Sequence, residues 1–107
     1  MDMVKQYEIY WVYLNPTKGS EISKKRPCVI ISPKEMNDNL NTIIVAPLTS
    51  TIRNYPTRVT VTVNKKKGQI ALDQIRTIDK TRLDNKLGVI NKSSVEKVKK
   101  ILCEMFE

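Results

Sequence analysis

The sequence contains no histidine. That removes the side chain that usually exchanges protons near neutral pH, and with it the commonest metal ligand. Its two cysteines, Cys28 and Cys103, lie far apart and form no CxxC, which argues against a zinc site or a dithiol redox centre. Both sit in apolar stretches and read as buried free thiols, the usual state in a cytoplasmic protein. Acidic residues are scarce: 11 Asp+Glu stand against 19 Lys+Arg, a formal net charge of +8. Such a balance favours a polyanionic partner, either nucleic acid or an acidic protein. No apolar run reaches membrane-spanning length, and Glu8 interrupts the segment a signal peptide would need. There is no linker, repeat or low-complexity tract, so residues 1–107 read as a single domain.

What is present is organised around residues 15–32. Pro16, Gly19 and a run of polar residues up to Lys25 make a loop. Cys28 to Ile31 is continuously apolar and reads as a buried strand over Pro27 to Ser32. Arg26 stands at the join, where a rigid strand would hold an arginine facing solvent. Before the loop, Glu8 to Leu14 is a strand with apolar groups on both faces, and hence central. Trp11 within it reads as core and not as a stacking platform. Residues 34–41 read as a loop with one helical turn. Thr42 to Leu48 is a further buried strand, in which Pro47 implies an edge position or the strand end.

The second half alternates. Val59, Val61 and Val63 share one face of a half-buried strand, and residues 64–68 read as a hairpin turn. Residues 69–72 and 75–78 are strand material broken at Asp73-Gln74. A helical turn in 80–86 and a short strand at 88–90 follow. Ser93 and Glu96 have capping-box spacing, before a helix whose apolar stripe is Val95, Val98, Ile101, Leu102, Met105 and Phe106. The fold class is mainly β: a small antiparallel barrel or sheet with one C-terminal α-helix.

Without histidine, a cysteine cluster or a carboxylate pair, most hydrolytic mechanisms lose support. Arginine, lysine, threonine and serine remain, and these bind phosphate and stabilise developing charge. Cleavage of RNA by its own 2′-hydroxyl demands little more, because the nucleophile is already intramolecular. Arg26 and Thr49 would serve if the fold brings the two strand ends together. Each has a plain structural alternative: a solvated strand end for Arg26, and a hydrogen bond to its own turn for Thr49. Asp73 has one too, capping the kink and pairing with Arg76.

Residues 15–21 (NPTKGSE), Arg26-Pro27, residues 47–50 (PLTS) and residues 73–79 (DQIRTID) follow one another in an order and spacing that resemble the MazF/PemK toxins of toxin–antitoxin modules. The resemblance implies an SH3-like β-barrel and a homodimer. It implies sequence-selective cleavage of single-stranded RNA without metal or other cofactor, leaving 2′,3′-cyclic phosphate and 5′-hydroxyl ends. It further implies a cognate antitoxin whose acidic, flexible segment occupies the RNA groove, and operator-DNA binding only through the antitoxin complex. By motif position, Arg26 and Thr49 are the catalytic pair, and Ser20, Glu21, Gln74 and Arg76 contact RNA. Asp73 is a further catalytic candidate, although Ala71 stands where the PemK branch pairs an arginine with it. Tyr7 stands where the family often has a glycine. Two other readings are a gyrase poison of the same fold, like the CcdB proteins, and a non-catalytic RNA-binding barrel.

Overall fold

The computed structural model describes residues 3–14 and 25–107. Seven antiparallel strands form one curled sheet, and a C-terminal helix packs on it. The strands are β1 (Glu8–Tyr13), β2 (Lys25–Ile30), β3 (Thr42–Thr49), β4 (Arg58–Val63), β5 (Lys66–Ala71), β6 (Arg76–Asp79) and β7 (Leu83–Val89). The helices are α1 (Lys34–Asn39) and α2 (Lys92–Met105). The order across the sheet is β4-β5-β3-β2-β1-β7, with β6 paired to β3. β1 lies between β2 and β7, as its two apolar faces require.

Both faces of the sheet are covered, which explains the continuous apolar runs. Val29, Ala46, Leu48, Val59 and Ile70 pack on one side with Val98 of α2. Val12, Cys28, Ile30, Val45 and Ile78 pack on the other. Glu8 is buried at 6% exposure, and burial works against its charge. The Lys86 ammonium at 2.6 Å, the Lys5 N–H at 2.8 Å and the Tyr10 hydroxyl at 3.1 Å outweigh that and hold the carboxyl below its usual range. That carboxylate also ties β7 to β1.

Several expectations need correction. β2 begins at Lys25, so Arg26 lies inside the strand, with Val12 of β1 as its partner. Pro47 is neither on an edge strand nor at a strand end. β3 pairs β6 along Thr42–Val45 and β5 along Leu48–Thr49, and Pro47 falls in the gap between the two, where no ladder donor is required. The hairpin turn is tighter than the composition suggests. Asn64 and Lys65 take φ of 51° and 66°, a two-residue turn whose twist matches the strands, so Lys66 and Lys67 belong to β5. β7 starts at Leu83, five residues before the expected strand.

The cap of α2 is Asn91, not Ser93: the Asn91 side chain accepts the Ser94 N–H at 2.8 Å. Asparagine caps as well as serine, and starting there begins the helix directly after Ile90 leaves the sheet. Phe106 lies past the helix end at 69% exposure and is not part of the buried stripe. Cys103 is exposed, because its position turns it away from the face that buries Val98 and Leu102; only Cys28 is a buried thiol. Tyr7 has φ 72°, a left-handed conformation that glycine adopts without strain. Two backbone bonds hold it there, to the Ile30 carbonyl at 2.7 Å and from the Ile90 N–H at 3.1 Å. Among the described residues, no helix is long and apolar enough to cross a membrane.

Candidate active site

The β2–β3 ladder pairs Ile30 with Val45, Val29 with Ala46 and Cys28 with Pro47. The ladder ends at Cys28 and Pro47, so Arg26 and Thr49 each lie two residues past its last pair, at the same end of the two strands. The two strands thus converge the residues that sequence alone left apart. Arg26 is exposed, and among the described residues its guanidinium has no hydrogen bond or ion pair. Its backbone is fixed by pairing to β1. Thr49 is half-buried, and its Oγ1 accepts the Thr51 N–H at 3.1 Å. That bond fixes the rotamer but uses a lone pair, so the hydroxyl proton is left to donate.

Both residues line a cleft of about 450 Å³. Trp11, Leu48, Val61 and Leu87 give it apolar walls, and Lys25, Lys66 and Lys67 add cations. Trp11 is therefore not simple core: it is half-buried and faces the cleft. The Lys25 ammonium lies 5.9 Å from the Trp11 ring centre and 5.8 Å from that of Tyr13, while its charge is held by Asp84 at 2.8 Å. Gly68 closes the β5 side. A Cβ there would stand 2.9 Å from the Thr49 carbonyl oxygen, so glycine permits the approach of β5 that fixes the Thr49 backbone. Next to it, the buried Gln69 amide holds Arg53 through both backbone groups, accepting its N–H at 2.9 Å and donating to its carbonyl at 3.0 Å. The segment from Ser50 to Thr57 is thereby pinned to the sheet.

Burial pushes the Cys28 thiol up to about 12, while Arg26 and Arg76 pull it the other way. The thiol is thus no nucleophile near neutral pH. The two arginines, both exposed, are close enough to act on the same sulfur. Arg76 is the cross-strand partner of Val45, on the face that Arg26 shares with Cys28 and Ile30.

Asp73 has a different partner from the one its sequence neighbours suggest. Its carboxylate accepts the Arg58 Nε–H at 2.8 Å, Nη2–H at 3.3 Å and the Thr57 hydroxyl at 3.0 Å, and does not pair with Arg76. Arg58 is the cross-strand partner of Ala71. An arginine on the adjacent strand, opposite position 71, thus pairs with Asp73. Arg58 holds the Asp73 carboxyl below its usual range, so Asp73 stays ionised near neutral pH. Asp73, Gln74 and Arg76 are exposed and are not among the residues lining the Arg26–Thr49 cleft. Ser20 and Glu21 lie outside the described residues.

Sequence reasoning missed Trp11, Lys66, Lys67 and Gly68 as cleft residues. An aromatic in a central strand reads as core, and lysines beside a turn read as solvated. The signal that was available is the Lys-Lys-Gly run itself, because a glycine inside a strand marks close backbone approach. Among the described residues no group of three or more His, Cys, Asp or Glu is placed to hold a metal ion.

Known proteins give independent comparisons. The family described as PemK-like, MazF-like toxin of type II toxin–antitoxin system matches residues 5–106. Endoribonuclease MazF from Staphylococcus epidermidis is 36% identical over 102 residues, covering 90% of this chain and 85% of that protein. A crystal structure of MazE–MazF from Deinococcus radiodurans superposes with a TM-score of 0.84 at 22% identity, covering 99% of this chain and 97% of that one. A mycobacterial endoribonuclease in complex with its cognate antitoxin gives 0.79 at 21% identity, covering 99% and 95%. The two structures establish likeness of fold, and the match over residues 5–106 establishes kinship: this chain belongs to the PemK-like, MazF-like toxins of type II toxin–antitoxin systems.

Proposed function

We propose that this toxin is an endoribonuclease that cuts single-stranded RNA at the Arg26–Thr49 end of the cleft, by attack of the substrate's own 2′-hydroxyl. The observation that carries the reading is that one cleft is lined by both a guanidinium with no partner among the described residues and a threonine hydroxyl with its proton left to donate. In the reaction the 2′-oxygen forms a bond to phosphorus and the bond from phosphorus to the 5′-oxygen breaks. The 2′-oxygen loses its proton and the leaving oxygen gains one. The products are a 2′,3′-cyclic phosphate and a 5′-hydroxyl. Negative charge grows on the two non-bridging oxygens as the pentavalent phosphorus forms. The planar fork of Arg26 suits those oxygens, and the Thr49 O–H supplies a further donor. The strand backbones hold both donors in place before the substrate arrives, which lowers the reorganisation cost. Apolar cleft walls suit unstacked bases, and the lysines suit the phosphates on either side.

Such a reaction needs no metal. In EDTA, a mixed-sequence RNA should break into discrete fragments carrying cyclic phosphate ends. Intact RNA with gyrase-dependent DNA breaks would replace the ribonuclease reading with that of a gyrase poison. Retention of RNA without cutting would leave a binding barrel.

The Thr49 hydroxyl has a separable role. Thr49→Val should be strongly impaired and Thr49→Ser much less so, because the hydroxyl and not the methyl meets the phosphate. Equal cleavage rates for the three proteins would reduce Thr49 to a strand-end residue.

Inhibition follows from the same electrostatics. A homodimer doubles the +8 charge over a shared surface. That field attracts RNA phosphates and, equally, the acidic flexible segment of a cognate antitoxin, and the two compete for one groove. Operator DNA is engaged through the antitoxin complex.

A further inference from the structure

Tyr55 is 51% exposed, on the segment that leaves Thr49. An exposed ring is unremarked on most surfaces, but this one is fixed. The Tyr55 carbonyl accepts the Arg58 N–H at 3.2 Å, closing a turn in which Pro56 presets the backbone. The Arg58 guanidinium lies 5.1 Å from the ring centre. That guanidinium is itself held, its side chain 7% exposed and forked onto Asp73. The ring therefore rests on an anchored cation and cannot turn freely.

Its position relative to the candidate catalytic pair follows from register. Gln69 is the cross-strand partner of both Thr49 and Thr60, so the three side chains share one face of the sheet. Arg58 is two residues from Thr60 on the same strand, and so on the same face. Strand spacing and rise put the Arg58 backbone about 12 Å from that of Thr49. The segment between them is clamped midway, where Gln69 holds Arg53. A chain whose phosphate sits at Arg26 and Thr49 thus reaches Tyr55 within a short stretch. Every nucleobase has a π face to lay on such a ring, and the cation behind it adds to the attraction.

We propose that Tyr55, backed by the Arg58–Asp73 fork, is a stacking platform for an unpaired nucleobase flanking the cleaved bond. The proposal rests on the ribonuclease reading and adds to it a subsite outside the Arg26–Thr49 cleft. It gives Asp73 an indirect part in substrate binding, as the residue that positions Arg58 under the ring.

The test is cleavage kinetics of Tyr55→Ala, Tyr55→Leu and Tyr55→Phe on an oligonucleotide with one cut site. The same substrate is also made with a single abasic residue stepped along each side of the cut. Tyr55→Ala should raise KM on the order of tenfold with kcat little changed, and Tyr55→Phe should match the wild type. Tyr55→Leu keeps apolar bulk without a π face and should behave like the alanine variant. One abasic position should weaken the wild type by a similar factor and cost the alanine variant nothing more. An unchanged KM in Tyr55→Ala, full activity in Tyr55→Leu, or losses that multiply at every abasic position would overturn the platform. Those outcomes leave the ribonuclease reading standing. A wild-type protein that cuts no RNA overturns that reading, and the platform with it.

Discussion

Arg26→Ala should slow RNA cleavage by about 10²–10³-fold, the usual cost of losing one preorganised donor to a developing charge. The expectation rests on geometry. Arg26 is held by β1 on one side and lines the same cleft as Thr49, with its guanidinium unpaired among the described residues. An exposed cation with no partner among the described residues leaves no buried charge behind among them when it is removed. The alanine variant should therefore melt close to the wild type, and should still bind an uncleavable RNA through the lysines around the cleft. Loss of rate without loss of fold or binding is the signature of a group that acts on the transition state. Arg26→Lys should also fail substantially. An ammonium is a point charge and does not reproduce two parallel N–H bonds to neighbouring phosphoryl oxygens. Single-turnover cleavage by the purified variants, with melting curves beside it, checks the prediction. Near-normal cleavage by a folded alanine variant would falsify the assignment of Arg26.

The site's logic was partly legible in the sequence. The apolar runs marked the strands. The break at Asp73-Gln74 was visible too, and a 3-10 turn occupies Leu72–Gln74. What was not legible depends on pairings distant in sequence. Pro47 looked like an edge residue because a proline cannot donate to a ladder. It is tolerated within β3 because that strand changes partners beside it. Ala71 looked like a lost catalytic partner for Asp73. Arg58, thirteen positions earlier, forms an ion pair with Asp73 because β4 and β5 set Arg58 opposite Ala71. Trp11 looked like core because alternation assigns a face but does not say where that face opens into a cleft. Ser93 was chosen as helix cap on spacing, when Asn91 two residues earlier offers an equally good oxygen at the point where the chain leaves the sheet. For Pro47, Asp73 and Trp11, pairings distant in sequence decided which of two locally acceptable roles applied.

The largest effect concerns the substrate and not the protein. Within the proposed mechanism the nucleophile is the ribose hydroxyl next to the scissile phosphate, and the protein contributes only alignment, proton transfer and charge stabilisation. Holding a nucleophile in the same molecule accounts for much of the acceleration, because the encounter has no separate entropic cost. Removing that one oxygen removes the reaction, however well the rest of the RNA binds. A nuclease that activates water would not use this hydroxyl as its nucleophile. The most direct measurement is therefore cleavage, in EDTA, of two oligonucleotides that differ only in ribose or 2′-deoxyribose at the cut site. Their affinities are measured separately to show that both are bound. Complete loss of cutting at that bond, with affinity retained, is the predicted result. Continued cutting of the deoxy-substituted oligonucleotide at the same bond would contradict the account.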